Sequence, residues 1–138
     1  MTINWKPISK YFKMEEFSDP LHLGSGDLIN PEFLVLVVRL RKDTGFPMVI
    51  HAAVDVNGTH GHAPNSMHLV KNGAKAIDFH FVTKASQREQ FYYVVKGGFT
   101  GIGVYYDWNN WGFHIDIREK DKTQIWIREK GQYIYFLK

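Results

Sequence analysis

Two short stretches of alternating polarity constrain this chain more than anything else in it: Ala76-Ile77-Asp78-Phe79-His80 and Gly112-Phe113-His114-Ile115-Asp116. Successive side chains of a β-strand point to opposite faces. In 76–82, Ile77, Phe79 and Phe81 therefore share one face while Asp78 and His80 take the other. In 112–118, Phe113, Ile115 and Ile117 oppose His114 and Asp116 in the same way. Each strand buries an aromatic and aliphatic face and carries a His and an Asp on its back. Large hydrophobes on both sides fix which way those polar groups look, and a polar face beside a core is costly to keep dry without partners. With His68 from the preceding loop, imidazole and carboxylate groups converge as they do at a zinc site.

The remainder of the chain sets the scaffold. Its 138 residues, 44% of them hydrophobic and 15% aromatic, suffice for one domain over 1–138 with a real core, and argue against disorder. The net charge of +3 comes from Lys and Arg spread along the chain with acids between them. That distribution provides no groove for nucleic acid. There is no cysteine, so disulfide and thiolate chemistry are excluded. Met1 to Phe17 lacks the apolar stretch of a signal peptide, and no apolar run approaches the ~20 residues of a membrane span. A protein without a membrane span, acting as a monomer, is expected.

Taken in order, residues 9–17 read as an extended segment followed by one helical turn, and 18–28 as a loop. Asn30-Pro31 gives a helix start, Leu34, Val37, Val38 and Arg41 follow at helical spacing, and Gly45 closes the helix near 44. The apolar run from Pro47 to Val54 predicts a central strand. Residues 55–67 are irregular, and strand 76–82 follows. Ser86-Gln-Arg-Glu89 opens a helix across 87–96 that ends at Gly97-Gly98. Strand 101–106, a turn at 107–110, strand 112–118, a charged turn at 119–123 and a hairpin pairing 125–128 with 133–137 complete the chain. The layout is α+β, with helices covering one face of a mainly antiparallel sheet.

A catalytic zinc takes three protein ligands and keeps one position open. His68, Asp78 and His114 are the candidates here. Asp116 shares the sheet face of His114 and serves either as proton acceptor or as the residue that orients an imidazole. His80 is the second polar residue on the Asp78 strand, and His22 and His51 are read as ordinary surface residues.

Ser66-x-His68, Ala74-x-Ala76-x-Asp78 and His114-x-Asp116 together resemble the M15-type zinc peptidases. That family of D-alanyl-D-alanine carboxypeptidases and related peptidoglycan peptidases includes bacteriophage endolysins. The likeness extends to Tyr11-Phe12-x-Met14-x-Glu16-Phe17, to Ile29-Asn30-Pro31-Glu32, and to the stretch from Gly98 to Tyr106 followed by Gly112 to Arg118. It implies a hedgehog/DD-peptidase-like fold, zinc on His68, Asp78 and His114, and Asp116 as catalytic base. Cleavage next to a D-amino acid in peptidoglycan stem peptides or cross-links is implied too, with Ser66 supporting the first ligand.

The chain also departs from the pattern. His68 and Asp78 are further apart than in the family, so Val70 to Gly73 reads as a small insertion. Ala52-Ala53-Val54-Asp55 stands where an Arg for the substrate carboxylate is usual, leaving Arg118, His60 or His62 to replace it. Trp111, Gly112 and Phe113 precede His114 where many members carry a Glu. Asp107 is therefore a second candidate base, and Trp108 and Trp111 are candidates to stack on a sugar or stem peptide. Two rival readings stand beside the peptidase: a cell-wall-binding or virion module that keeps the fold without turnover, and a His/Asp metal nuclease, which the lack of a basic cluster disfavours.

Overall fold

Both helices begin on side-chain caps. In a computed structural model describing residues 2–137, α1 spans Pro31–Thr44, and the Asn30 side chain accepts the Phe33 N–H at 2.9 Å before it. Gly45 ends α1 in the left-handed region at φ 69°. The second helix, α2, spans Gln87–Lys96, with Ser86 Oγ accepting the Glu89 N–H at 3.1 Å.

Six strands make the sheet: β1 (Met48–Ala52), β2 (Ala76–Phe81), β3 (Gly101–Tyr105), β4 (Gly112–Asp116), β5 (Gln124–Glu129) and β6 (Gln132–Leu137). Their spatial order is β1-β2-β4-β3-β5-β6. Every neighbouring pair is antiparallel except β3 and β5. The architecture is a mixed α+β fold with a mostly antiparallel sheet.

The apolar face of this sheet is the core. Ile77 and Phe79 of β2, Ile102 and Val104 of β3 and Phe113 and Ile115 of β4 are almost completely buried. They share one cluster with Phe33, Leu34, Val37 and Leu40 of α1 and Val94 of α2. Burying a side chain of that size stabilises by about 1.5–3 kcal/mol, so the alternation of β2 and β4 decides which face the helices cover.

The expectation of a central strand from Pro47 to Val54 is corrected: β1 is an edge strand. The apolar run serves two elements. Met48 is buried within β1 while Val49 and His51 face solvent, and the run continues past the strand into Ala53 and Val54, which are buried in the following loop. There the Val54 N–H bonds the Phe17 carbonyl at 3.1 Å. The first segment also carries more local structure than an extended chain, with single 3-10 turns at Lys6–Ile8, Met14–Phe17 and Ser25–Leu28.

The putting-together of the polar face follows from register. One row of paired residues crosses all six strands: Ala52, Asp78, His114, Gly103, Trp126 and Tyr135. A second row on the same face holds Ala76, Asp116, Gly101 and Gln124. Asp78 and His114 are thus direct cross-strand partners, with Asp116 one pleat away.

Candidate metal centre

Asp78 Oδ1 is the point on which the site converges. His68 Nε2 lies 3.2 Å from it and His114 Nδ1 lies 2.8 Å from it. Each imidazole is held from behind by an acceptor. The Ala53 carbonyl accepts from His68 Nδ1 at 2.8 Å, and Asp116 Oδ2 faces His114 Nε2 at 2.7 Å. An imidazole whose outer N–H is held by a carbonyl or carboxylate has its other nitrogen fixed in direction and raised in basicity, the arrangement found behind metal-ligating histidines.

The electrostatics make the same demand. With its Nδ1 hydrogen on a carbonyl, a neutral His68 turns its lone pair toward a carboxylate oxygen, which only a proton or a cation between them makes favourable. His114 lies between two carboxylates. Burial opposes its charge, yet the bonds to Asp116 and Asp78 outweigh burial and push its pKa up to about 9. Burial likewise works against an ionised Asp78, but the charge and hydrogen bonds of His68 and His114 outweigh it and hold the carboxyl well below the usual range. The His68 and His114 rings are inclined at 70°, with centroids 5.3 Å apart, so a single position can lie in the plane of both. Among the described residues, His68 and Asp78 belong with His62, and not with His114, to a group whose ligand atoms lie close enough together to hold a metal ion.

The loop that brings His68 here is fixed at several points. The residues between His68 and Asp78 that read as an insertion fold into a 3-10 turn, Val70–Asn72, closed by Gly73 at φ 106°. Asn72 Nδ2 donates to the carbonyls of Pro64 and Ser66 at 2.9 and 2.8 Å, and the Lys75 N–H returns to the Met67 carbonyl at 2.8 Å. Ser66 Oγ accepts the His68 N–H at 3.2 Å, consistent with support of that residue. These bonds hold the segment in place around His68, which is 2% exposed.

The structure places Asp116 behind the His114 ring. It is fully buried, and its oxygens take His114 Nε2, the Arg118 backbone N–H at 3.0 Å, and Arg118 Nε and Nη2 at 2.9 and 2.6 Å. Burial opposes its charge, but His114 and Arg118 hold the carboxyl well below the ordinary range. With every acceptor site committed and no exposure to solvent, Asp116 is placed to fix the direction of the His114 ring. Arg118 is committed as well: its Nη1 donates to Gln124 Oε1 at 3.0 Å and its guanidinium covers the Trp126 ring. Gly101 leaves the room for this pair, since a Cβ there would collide with Asp116 and Arg118.

Four other candidates lie elsewhere. Asp107 pairs with Arg128 at 3.4 Å and accepts the Gly131 N–H at 3.0 Å, so it holds the β5–β6 turn and does not line the site. Trp111 packs edge-on against Phe113 at the core. Trp108, in the turn between β3 and β4, reaches the site and is stacked on Tyr105 at 4.6 Å. His80 stands against His51, their rings stacked at 4.8 Å with Nδ1 and Nε2 2.6 Å apart. His60 is taken by Asp19 at 2.7 Å.

A groove of about 510 Å³ opens over the centre, lined among others by Ser66, Trp108, Arg128, Tyr133 and Tyr135. The sequence reading left His62 without a place in the ligand set. It lines this groove, and His62, His68 and Asp78 offer ligand atoms that all lie within 4.8 Å of one another. Its signal was weak because residues 55–67 carry no period. A second group, Asp19, Asp55 and His60, can also hold an ion. Its oxygens are already engaged by the N–H groups of Leu21, Val56 and Gly58 and by His60 and His62.

Among the described residues, no helix is long and apolar enough to cross a membrane. The chain matches no protein-family model, no curated protein and no solved structure.

Proposed function

We propose that the chain is a zinc-dependent peptidase that hydrolyses peptide bonds next to D-amino acids in peptidoglycan, built on a DD-peptidase-like α+β fold. The observation that carries this reading is the convergence of His68 Nε2 and His114 Nδ1 on one oxygen of Asp78, each ring held from behind. Two imidazoles and a carboxylate form a nitrogen and oxygen donor set suited to zinc, with room for one further ligand. Zinc bound there lowers the pKa of its water to about 7 and polarises a carbonyl. His68, Asp78 and His114 hold the ion, Asp116 and the Ala53 carbonyl set the ring directions, and the groove admits an extended peptide. The substrate class rests on the resemblance of Ser66-x-His68, Ala74-x-Ala76-x-Asp78 and His114-x-Asp116 to the M15-type peptidases.

One observation favours a non-catalytic cell-wall-binding module instead: among the described residues, Asp78 is the only carboxylate lining the groove. Zinc content measured together with muropeptide digestion separates the two readings. Stoichiometric zinc with released stem-peptide fragments is expected for the peptidase. Stoichiometric zinc without product favours the binding module, and a chain that takes up no zinc overturns both.

A further inference from the structure

His62 is held as firmly as the ligands are. Its Nδ1 lies 2.8 Å from Asp55 Oδ2, and Asp55, 1% exposed, accepts the Gly58 N–H at 2.8 Å on its other oxygen. The Asp55 backbone is fastened to the segment that carries His68: its N–H bonds the His68 carbonyl at 3.0 Å, and its carbonyl accepts the Val70 N–H at 3.1 Å. The residue that steers His62 and the segment that carries His68 are therefore joined by two backbone hydrogen bonds. With Nδ1 engaged, Nε2 is the ring nitrogen left for the groove.

Proximity alone suggests a fourth ligand, and ring orientation argues against it. The lone pair of an imidazole nitrogen lies in the ring plane, so an ion held by His68 lies in the His68 plane, about 2.0–2.1 Å from its nitrogen. The His62 ring is stacked on that of His68, with centroids 4.3 Å apart and planes only 8° from parallel. Stacked rings in van der Waals contact stand about 3.5 Å apart, which puts such an ion far out of the His62 plane. The His114 ring, at 70° to that of His68, meets no such restriction. His62 is placed beside the ion's position and not in line with it.

We infer that His62, held by Asp55 as an ion pair with hydrogens on both ring nitrogens, donates from Nε2 to the oxygen ligand completing the centre, a water or a substrate carbonyl, and is not a fourth metal ligand. This rests on the reading of His68, Asp78 and His114 as ligands. His62 is then a residue that touches substrate, and Asp55 a positioning residue that acts through it.

The test uses the full chain loaded with Co²⁺, with acetohydroxamate as the oxygen ligand and the visible absorption of the cobalt as the readout. His62→Phe preserves the stack on His68. It is expected to bind Co²⁺ with wild-type affinity and to lose about tenfold in hydroxamate affinity, the worth of one hydrogen bond. Asp55→Asn is expected to move hydroxamate affinity in the same direction with cobalt affinity unchanged. Where the Phe variant does not fold, His62→Leu carries the same comparison. Loss of cobalt from a folded His62 variant overturns the proposal by making His62 a ligand, and unchanged hydroxamate affinity overturns it too. A wild-type chain that binds no cobalt overturns the metal reading beneath it, a result distinct from either.

Discussion

Asp116 holds Nε2 of His114 at 2.7 Å from a position with no exposure to solvent. This fixes the ring so that Nδ1 faces Asp78, and it identifies the residue whose loss weakens the centre without removing a ligand. Asp116→Asn is expected to lower zinc affinity by about 10–100-fold, the usual effect of losing a partner behind a ligating histidine. Competition with a chromophoric chelator measures it. Unchanged affinity would show that the His114 ring is set by packing alone.

Asp78 is the meeting point of both imidazoles, so Asp78→Ala is expected to abolish stoichiometric zinc binding. Metal analysis after dialysis gives the answer. Full occupancy in this variant would remove Asp78 from the ligand set.

The metal-free protein should lose stability as pH rises from about 6.5 to 9. His114 is raised from its ordinary value to about 9 in the folded chain. A raised group contributes stability that is complete below its unfolded pKa and disappears as pH passes its folded pKa. The contribution is on the order of 3 kcal/mol. Asp78 and Asp116, both lowered, contribute in the opposite sense: present above the ordinary carboxylate range and lost in acid. Zinc held by His114 as proposed would take the place of the Nδ1 proton, so thermal melts of the zinc-loaded protein are expected to stay flat where the metal-free melts fall. Parallel curves for the two forms would contradict this.

Gly103 sits in the row between His114 and Trp126, and a Cβ there would collide with the Trp126 indole and the Tyr105 ring. Gly103→Ala is expected to cost about 1–3 kcal/mol, as overpacking does. Urea denaturation measures it, and an unchanged midpoint would mean that Trp126 shifts freely.

What the sequence disclosed and what it hid divide along physical lines. β2 and β4 were legible because Ile77, Phe79, Phe113 and Ile115 alternate with polar residues. α1 was legible because Asn30-Pro31 and Gly45 mark its ends. The edge position of β1 was not, since strand order depends on pairing between distant segments and the apolar run from Met48 to Val54 reads the same whether it fills one element or two. The parallel pairing of β3 with β5 was hidden for the same reason. Asp78 and His114 declared their direction through flanking hydrophobes, whereas His62 and Asp55 lie in a loop where no period orients a side chain. Trp108 and Trp111, three positions apart in a turn, could not be told apart until the chain path assigned one to the groove and the other to Phe113.

Asp19 ties two remote parts of the chain together. Its carboxylate takes the Leu21 and Val56 N–H groups and His60, its own N–H bonds Ser25 Oγ, and burial notwithstanding, those bonds keep its pKa at about 2. The loop carrying the first imidazole is thus moulded against a segment some forty residues upstream. Removing residues 2–20 is therefore expected to loosen a groove that none of them lines.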